Sequence, residues 1–160
     1  MAERVPGHSH HHGNVLRRLI DEGFPPAIHH FGLRETGGWD TAEAGTTVRS
    51  VGDLALPGWS DEIRDKRVFV SLDVDVLDPA ILPGTGTPVV GGLSLQRLCQ
   101  LLAEIAAKTV PVGIDVVELC PMRDTTGASE HVVIEALLCF LAVYFRTHGT
   151  PIAPVGKKLI

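Results

Sequence analysis

The stretch VFVSLDVDVLDP, residues 68–79, drives an apolar run straight into three aspartates, Asp73, Asp75 and Asp78. Near-continuous apolar residues on both faces describe a central strand of a parallel sheet, covered by helices on each side. A carboxylate at the end of such a strand is costly unless something positive meets it. Side chains alternate along a strand, so this reading points Asp73 and Asp75 to the same side. Two carboxylates that close repel each other, and one takes up a proton unless a cation lies between them. A hard divalent ion with oxygen ligands, manganese or magnesium, removes the conflict. The blander account is that the aspartates cap turns, and Asp78, directly before Pro79, fits that role.

The flanking sequence supports an α/β class. NVLRRLIDEG reads as a short helix, with Asn14 as N-cap and Gly23 as its stop. AIHHFGLR and TTVRSV are short strand candidates, and DEIRD is a surface helical turn. DPAILPGTGTPVVGG has neither helix nor strand period and reads as a loop. LSLQRLCQLLAEIAAK is an amphipathic helix with Ser94 as N-cap and Lys108 at its C-terminal end. VPVGIDVVEL is a second buried strand, and SEHVVIEALLCFLAVYFR a long last helix. Strands alternating with helices build a mainly parallel sheet, whose function sits beyond the carboxyl ends of its strands. Asp73, Asp75 and Glu118 fall there. Asp115 points elsewhere by strand alternation and reads as a supporting carboxylate.

Composition excludes several classes. A formal charge of −5 over 160 residues gives no electrostatic case for nucleic acid or an anionic membrane. No unbroken apolar run reaches the roughly 18 residues of a spanning helix, because Glu135 interrupts the greasiest segment. Cys99, Cys120 and Cys139 are odd in number and sit in apolar contexts, as small core residues in a reducing, cytoplasmic compartment do. His8, His10, His11 and His12 crowd residues 1–12, a loose segment that also reads as a tag-like or adventitious metal tract. Residues 13–147 carry the folded pattern, and 148–160 read as a loose tail. His29 and His30 read as packing or surface residues.

SLDVDVLDPAILPGTGTPVVGGLS resembles the second metal-binding signature of the ureohydrolases, the arginase, agmatinase and formimidoylglutamase family. The similarity continues into GIDVVELCP and back into HGNVLRRLIDEG. It implies a three-layer α-β-α sandwich with a mainly parallel sheet, an oligomer, and a binuclear manganese centre that makes water attack a guanidino or amidino carbon, releasing urea. On matching positions it implies Asp73 and Asp75 as manganese ligands and Glu118 as the partner of the substrate guanidinium. It further implies His12 as a proton shuttle and Thr87 as a residue lining the pocket. The PGTGTP form leans toward agmatinase-like members.

The chain also departs from that family. The upstream Gly-Gly-Asp-His and Asp-Ala-His-x-Asp motifs, which bring the family's other metal ligands, do not occur in it. The expectation is therefore the C-terminal half of a ureohydrolase, lacking its N-terminal strands. Three accounts fit: a truncated or partial form, one member of a pair whose partner chain supplies the missing half, or an inactive binding or assembly subunit.

Overall fold

The computed structural model describes residues 15–24, 27–34, 46–50 and 58–149. They fall into two compact units, Met1–Leu56 and Pro57–Ile160. In the first unit, α1 (Val15–Asp21) precedes β1 (Ile28–Leu33) and β2 (Thr46–Ser50), which pair in parallel. Gly23 ends α1 as its sequence predicts. At φ 79° it takes the left-handed turn that a Cβ would oppose. Its N–H reaches the Ile20 carbonyl at 2.9 Å and the Phe24 N–H reaches that of Leu19 at 2.7 Å, a Schellman closure.

The second unit is a strand–helix–strand–helix run. β3 (Arg67–Asp73) leads through a loop into α2 (Leu95–Lys108), which crosses over to β4 (Val110–Val117) and then to α3 (Ala128–His148). β3 and β4 pair in parallel from Arg67↔Val110 to Asp73↔Val117. Their carboxyl ends therefore lie side by side. Ser94 caps α2 by accepting the Arg97 N–H at 3.2 Å, as predicted. Leu98, Leu101, Leu102, Ile105 and Ala106 recur at helical spacing and are buried. α3 buries Ser129, Val133, Ala136 and Phe140 and packs along α2. A short 3-10 turn, Trp59–Asp61, is fastened to α2 by Ser60, which donates to Glu104 Oε1 at 2.6 Å and accepts from Lys108 Nζ at 2.5 Å.

Three expectations change. The strand does not run on through Asp75: it stops at Asp73, and Val74–Val76 form a 3-10 turn. The cause is Asp73 itself, whose Oδ1 accepts the Asp75 N–H at 3.0 Å and caps that turn. Nor do the described residues of the second unit cover both strand faces. Leu72 is buried, but Phe69 is 62% exposed and Val112 54%. A parallel sheet needs a layer on each face, and the described residues of this unit cover one. Finally, α3 is long and apolar enough to cross a membrane by length and composition alone. Counting unbroken apolar residues overlooks this, because a single Glu135 resets the count. α3 nonetheless packs on α2 in this fold.

Candidate metal and substrate site

Asp73 and Asp75 meet through the 3-10 turn rather than through strand alternation. Asp75 Oδ1 in turn accepts the hydroxyl proton of Thr85, a residue 2% exposed. Thr85 Oγ1 also lies 3.1 Å from the Glu118 carbonyl oxygen, so one hydroxyl serves two acceptors on two different strand ends. Thr85 forms an isolated antiparallel bridge with Leu119. The neighbouring Cys120 N–H donates to the Gly84 carbonyl at 2.8 Å.

Glu118 follows Val117 directly and so sits beside Asp73. Its backbone is left-handed, with φ 65°. An L-residue there costs about 1–2 kcal/mol, and such outliers cluster at functional sites. A Cβ placed on Gly86 would lie 3.4 Å from Glu118 Oε2, so this carboxylate lies close to the Gly84–Gly86 segment. Arg123 fastens the same segment by donating from Nη1 to the Gly86 carbonyl at 3.1 Å. Glu118 and Asp115 stand three residues apart, but the left-handed turn after Val117 means that alternation no longer sets where Glu118 points.

Asp78 turns the chain, as its place before Pro79 suggests. Its Oδ1 accepts the Ala80 N–H at 3.0 Å and its Oδ2 the Gly91 N–H at 2.8 Å. The Leu77↔Leu93 bridge closes the base of the loop. Gly92 is required there, because a Cβ would come within 2.4 Å of Asp78 N and of the Leu77 carbonyl carbon. The far side of the loop is held by Ser129, fully buried, whose Oγ accepts the Gly84 N–H at 2.9 Å and donates to Asp124 Oδ2 at 2.6 Å.

Thr87 is exposed on this loop, and it is Thr85 that reaches Asp75. His12 lies outside the described residues. His29 and His30 are on β1, and burial lowers the pKa of His30, with His29 adding to the shift. The three cysteines are free. Burial pushes the Cys99 thiol up to about 12, and its hydrogen bond with Cys139 acts in the same direction. That environment suits packing rather than nucleophilic chemistry. Thr85, Ser129 and Asp124 belong to the site although no sequence pattern singles out Thr85 or Ser129. Only Asp124 left a local signal: an Asp followed two residues later by Thr126, whose N–H it accepts at 2.8 Å.

Asp73 and Asp75 offer oxygen donors of the kind a hard divalent ion takes. They fit as part of a metal cradle. Among the described residues no group of three or more His, Cys, Asp or Glu is gathered.

The Arginase family model matches residues 2–142. This chain belongs to the arginase family. Proclavaminate amidinohydrolase of Streptomyces clavuligerus is 38% identical over 159 residues, covering 90% of this chain and 50% of that enzyme. An agmatinase of Photorhabdus laumondii is 38% identical over 123 residues, covering 71% and 38%. Among solved structures, the Streptomyces clavuligerus amidinohydrolase superposes with a TM-score of 0.74 at 34% identity, covering 86% of this chain and 50% of that one. The agmatine ureohydrolase of Thermoplasma volcanium gives 0.73 at 27% identity, covering 92% and 52%. The fold is thus the arginase-like α/β fold, and these family relatives are hydrolases. The chain spans about half the length of the curated relatives it matches.

Proposed function

We propose that this chain carries part of the active site of a manganese-dependent ureohydrolase acting on a guanidino or amidino C–N bond. The observation behind this reading is that Asp73, Asp75 and Glu118 lie at or just beyond the adjacent ends of two parallel strands, with Thr85 bonded to the Asp75 carboxylate and to the Glu118 backbone carbonyl. Asp73 and Asp75 would hold manganese, whose Lewis acidity makes water nucleophilic at neutral pH. Glu118, presented by its left-handed turn, would pair with the planar substrate cation through charge-assisted hydrogen bonds. The relatives named above include an amidinohydrolase and an agmatinase, and guanidinopropionase of Pseudomonas aeruginosa is 36% identical over 148 residues. The substrate class therefore extends to linear guanidino compounds. His12 remains the proposed proton shuttle and Thr87 a proposed wall of the pocket. Cytoplasmic location and homo-oligomerisation belong to the same reading.

The test is urea release from arginine, agmatine and guanidino acids by the purified 160-residue chain with Mn(II). Release that disappears in Glu118→Gln supports catalysis by this chain. Absence of both manganese binding and urea release would rule out autonomous activity.

A second reading, an inactive binding or assembly subunit, is favoured by the lack of a third ligand beside Asp73 and Asp75 among the described residues. It expects an Asp73→Ala, Asp75→Ala double variant to keep partner binding, at a stability cost no larger than that of the lost turn cap and Thr85 hydrogen bond, about 1–3 kcal/mol. Manganese-dependent stabilisation of the parent alone would sink it.

A further inference from the structure

We propose that Asp124, Ser129 and Thr85 form a positioning relay that fixes the Asp75 carboxylate and the Glu118 turn from inside the fold. The relay runs through contiguous hydrogen bonds. Asp124 Oδ2 accepts the Ser129 hydroxyl at 2.6 Å and the Ser129 N–H at 2.8 Å, while its Oδ1 accepts the Thr126 hydroxyl at 2.6 Å. With its proton committed to Asp124, Ser129 Oγ is oriented to accept the Gly84 N–H at 2.9 Å. Gly84 is the residue before Thr85, and Thr85 reaches Asp75 and the Glu118 carbonyl.

Burial marks this as more than helix capping. Ser129 is 0% exposed, Thr85 2% and Asp124 7%. Capping the start of α3 accounts for the bonds from Thr126 and the Ser129 N–H to Asp124. It does not account for a buried serine hydroxyl that receives an amide 45 residues away in sequence. The approach is also close: a Cβ on Gly84 would lie 2.7 Å from Ser129 Oγ and 3.2 Å from Asp124 Cβ, so glycine lets the loop backbone seat against the pair. Buried groups joined in one network hold a single geometry, and breaking one link frees the next. The relay bears on catalysis only if Asp75 is a metal ligand, so in that respect it rests on the proposed function.

The test uses the full chain with Mn(II) alone as probe, followed by electron paramagnetic resonance. It compares the parent with Asp75→Asn, Thr85→Val, Thr85→Ser, Ser129→Ala and, as a control, Ser60→Ala. Partners that orient a metal ligand are worth about 10–100-fold in affinity. Thr85→Val, close in shape but without the hydroxyl, is expected to weaken Mn(II) binding by about tenfold, and Ser129→Ala in the same direction. Thr85→Ser restores binding, because the hydroxyl is kept. Ser60→Ala breaks the fastening between the 3-10 turn and α2, so it lowers the melting temperature without moving Mn(II) affinity. If Asp75→Asn loses Mn(II) and Thr85→Val binds it like the parent, the relay is overturned and the metal reading stands. If the parent binds no Mn(II), the metal reading falls for this chain, and the relay is decided by nuclear magnetic resonance on metal-free protein. There, Ser129→Ala should average the Thr85 side-chain rotamer and speed Gly84 amide exchange by about tenfold or more, the loss of a bond worth roughly 1.4 kcal/mol. Parental values for both overturn it.

Discussion

The chain leaves β3 and β4 in opposite ways, although each strand ends beside an acid of the candidate site. After β3 the loop closes on itself: Asp78 accepts the Gly91 N–H across 13 residues, and Leu77 bridges Leu93 at its base. After β4 the turn at Glu118 is held from a distance, by Thr85 across 33 residues, and Thr85 is seated by Ser129, 45 residues from Gly84. Local closure is cheap in loop entropy and sets geometry early, whereas distant ties form only once the domain is packed. Asp73 and Asp75, the proposed metal ligands, thus stand at the foot of a loop whose base closes on itself, while Thr85 within that loop is held through the distant Ser129 tie. The proposed substrate carboxylate stands on a left-handed residue that the rest of the fold must hold.

Gly92→Ala attacks the self-closed side where it is tightest. A Cβ there would meet backbone atoms of Asp78 and Leu77 at 2.4 Å, which no rotamer change can relieve. Forced overpacking against backbone is expected to cost about 3 kcal/mol, read as a lower urea midpoint with an unchanged slope. Parental stability would mean that the loop base can open, and the contrast between the two strand ends would collapse.

The legibility of the sequence follows the same division. Gly23 stopping α1, Ser94 capping α2 and Asp78 turning the chain are all decided within a few residues and are legible in the sequence. The acidic signature also pointed to the correct end of the sheet. What the sequence hid depends on partners far along the chain. That Thr85 meets Asp75 depends on Gly84 seating on Ser129. The left-handed turn at Glu118 has no local marker, because nothing in VVELCP resembles the glycine or asparagine such a turn prefers. The end of β3 was misjudged for a different reason. Alternating Val and Asp fit a strand pattern, yet Asp73 caps its own successor turn and stops the ladder.

Glu118 offers a smaller and sharper perturbation. Glu118→Ala keeps the left-handed backbone with a Cβ, and Glu118→Gly removes that conflict. The glycine variant should therefore be the more stable of the two by about 1 kcal/mol, even after glycine's greater unfolded-state entropy is counted. Both would abolish any activity that depends on the carboxylate. Equal unfolding midpoints for the pair would show that the turn relaxes once the side chain is gone, and that the distant ties to Thr85 do not hold it.

The gentlest probe is acid. Hydrogen bonds from Ser129 and Thr126 hold the Asp124 carboxyl well below the usual carboxylate range, with burial opposing them. A carboxyl lowered in the folded state binds fewer protons there than in the unfolded chain. Its stabilising contribution is therefore complete above the ordinary carboxylate pKa of about 4 and drains as pH falls below it, towards the lower folded value. Asp124→Asn, which cannot titrate, should show a shallower loss of melting temperature on acidification than the parent. Some slope will remain: Asp61 is held low chiefly by Arg64, and in Glu104 the upward push of burial is outweighed by bonds from Ser60 and Lys108. Because Asp124 orients Ser129, the Gly84 amide in the parent should lose exchange protection, relative to its intrinsic rate at each pH, over the same acid range before the amides of β3 do. Identical acid slopes in parent and Asp124→Asn, with Gly84 and β3 opening together, would mean that Asp124 does not hold Ser129 against Gly84, and that Thr85 reaches the Glu118 turn without that distant tie.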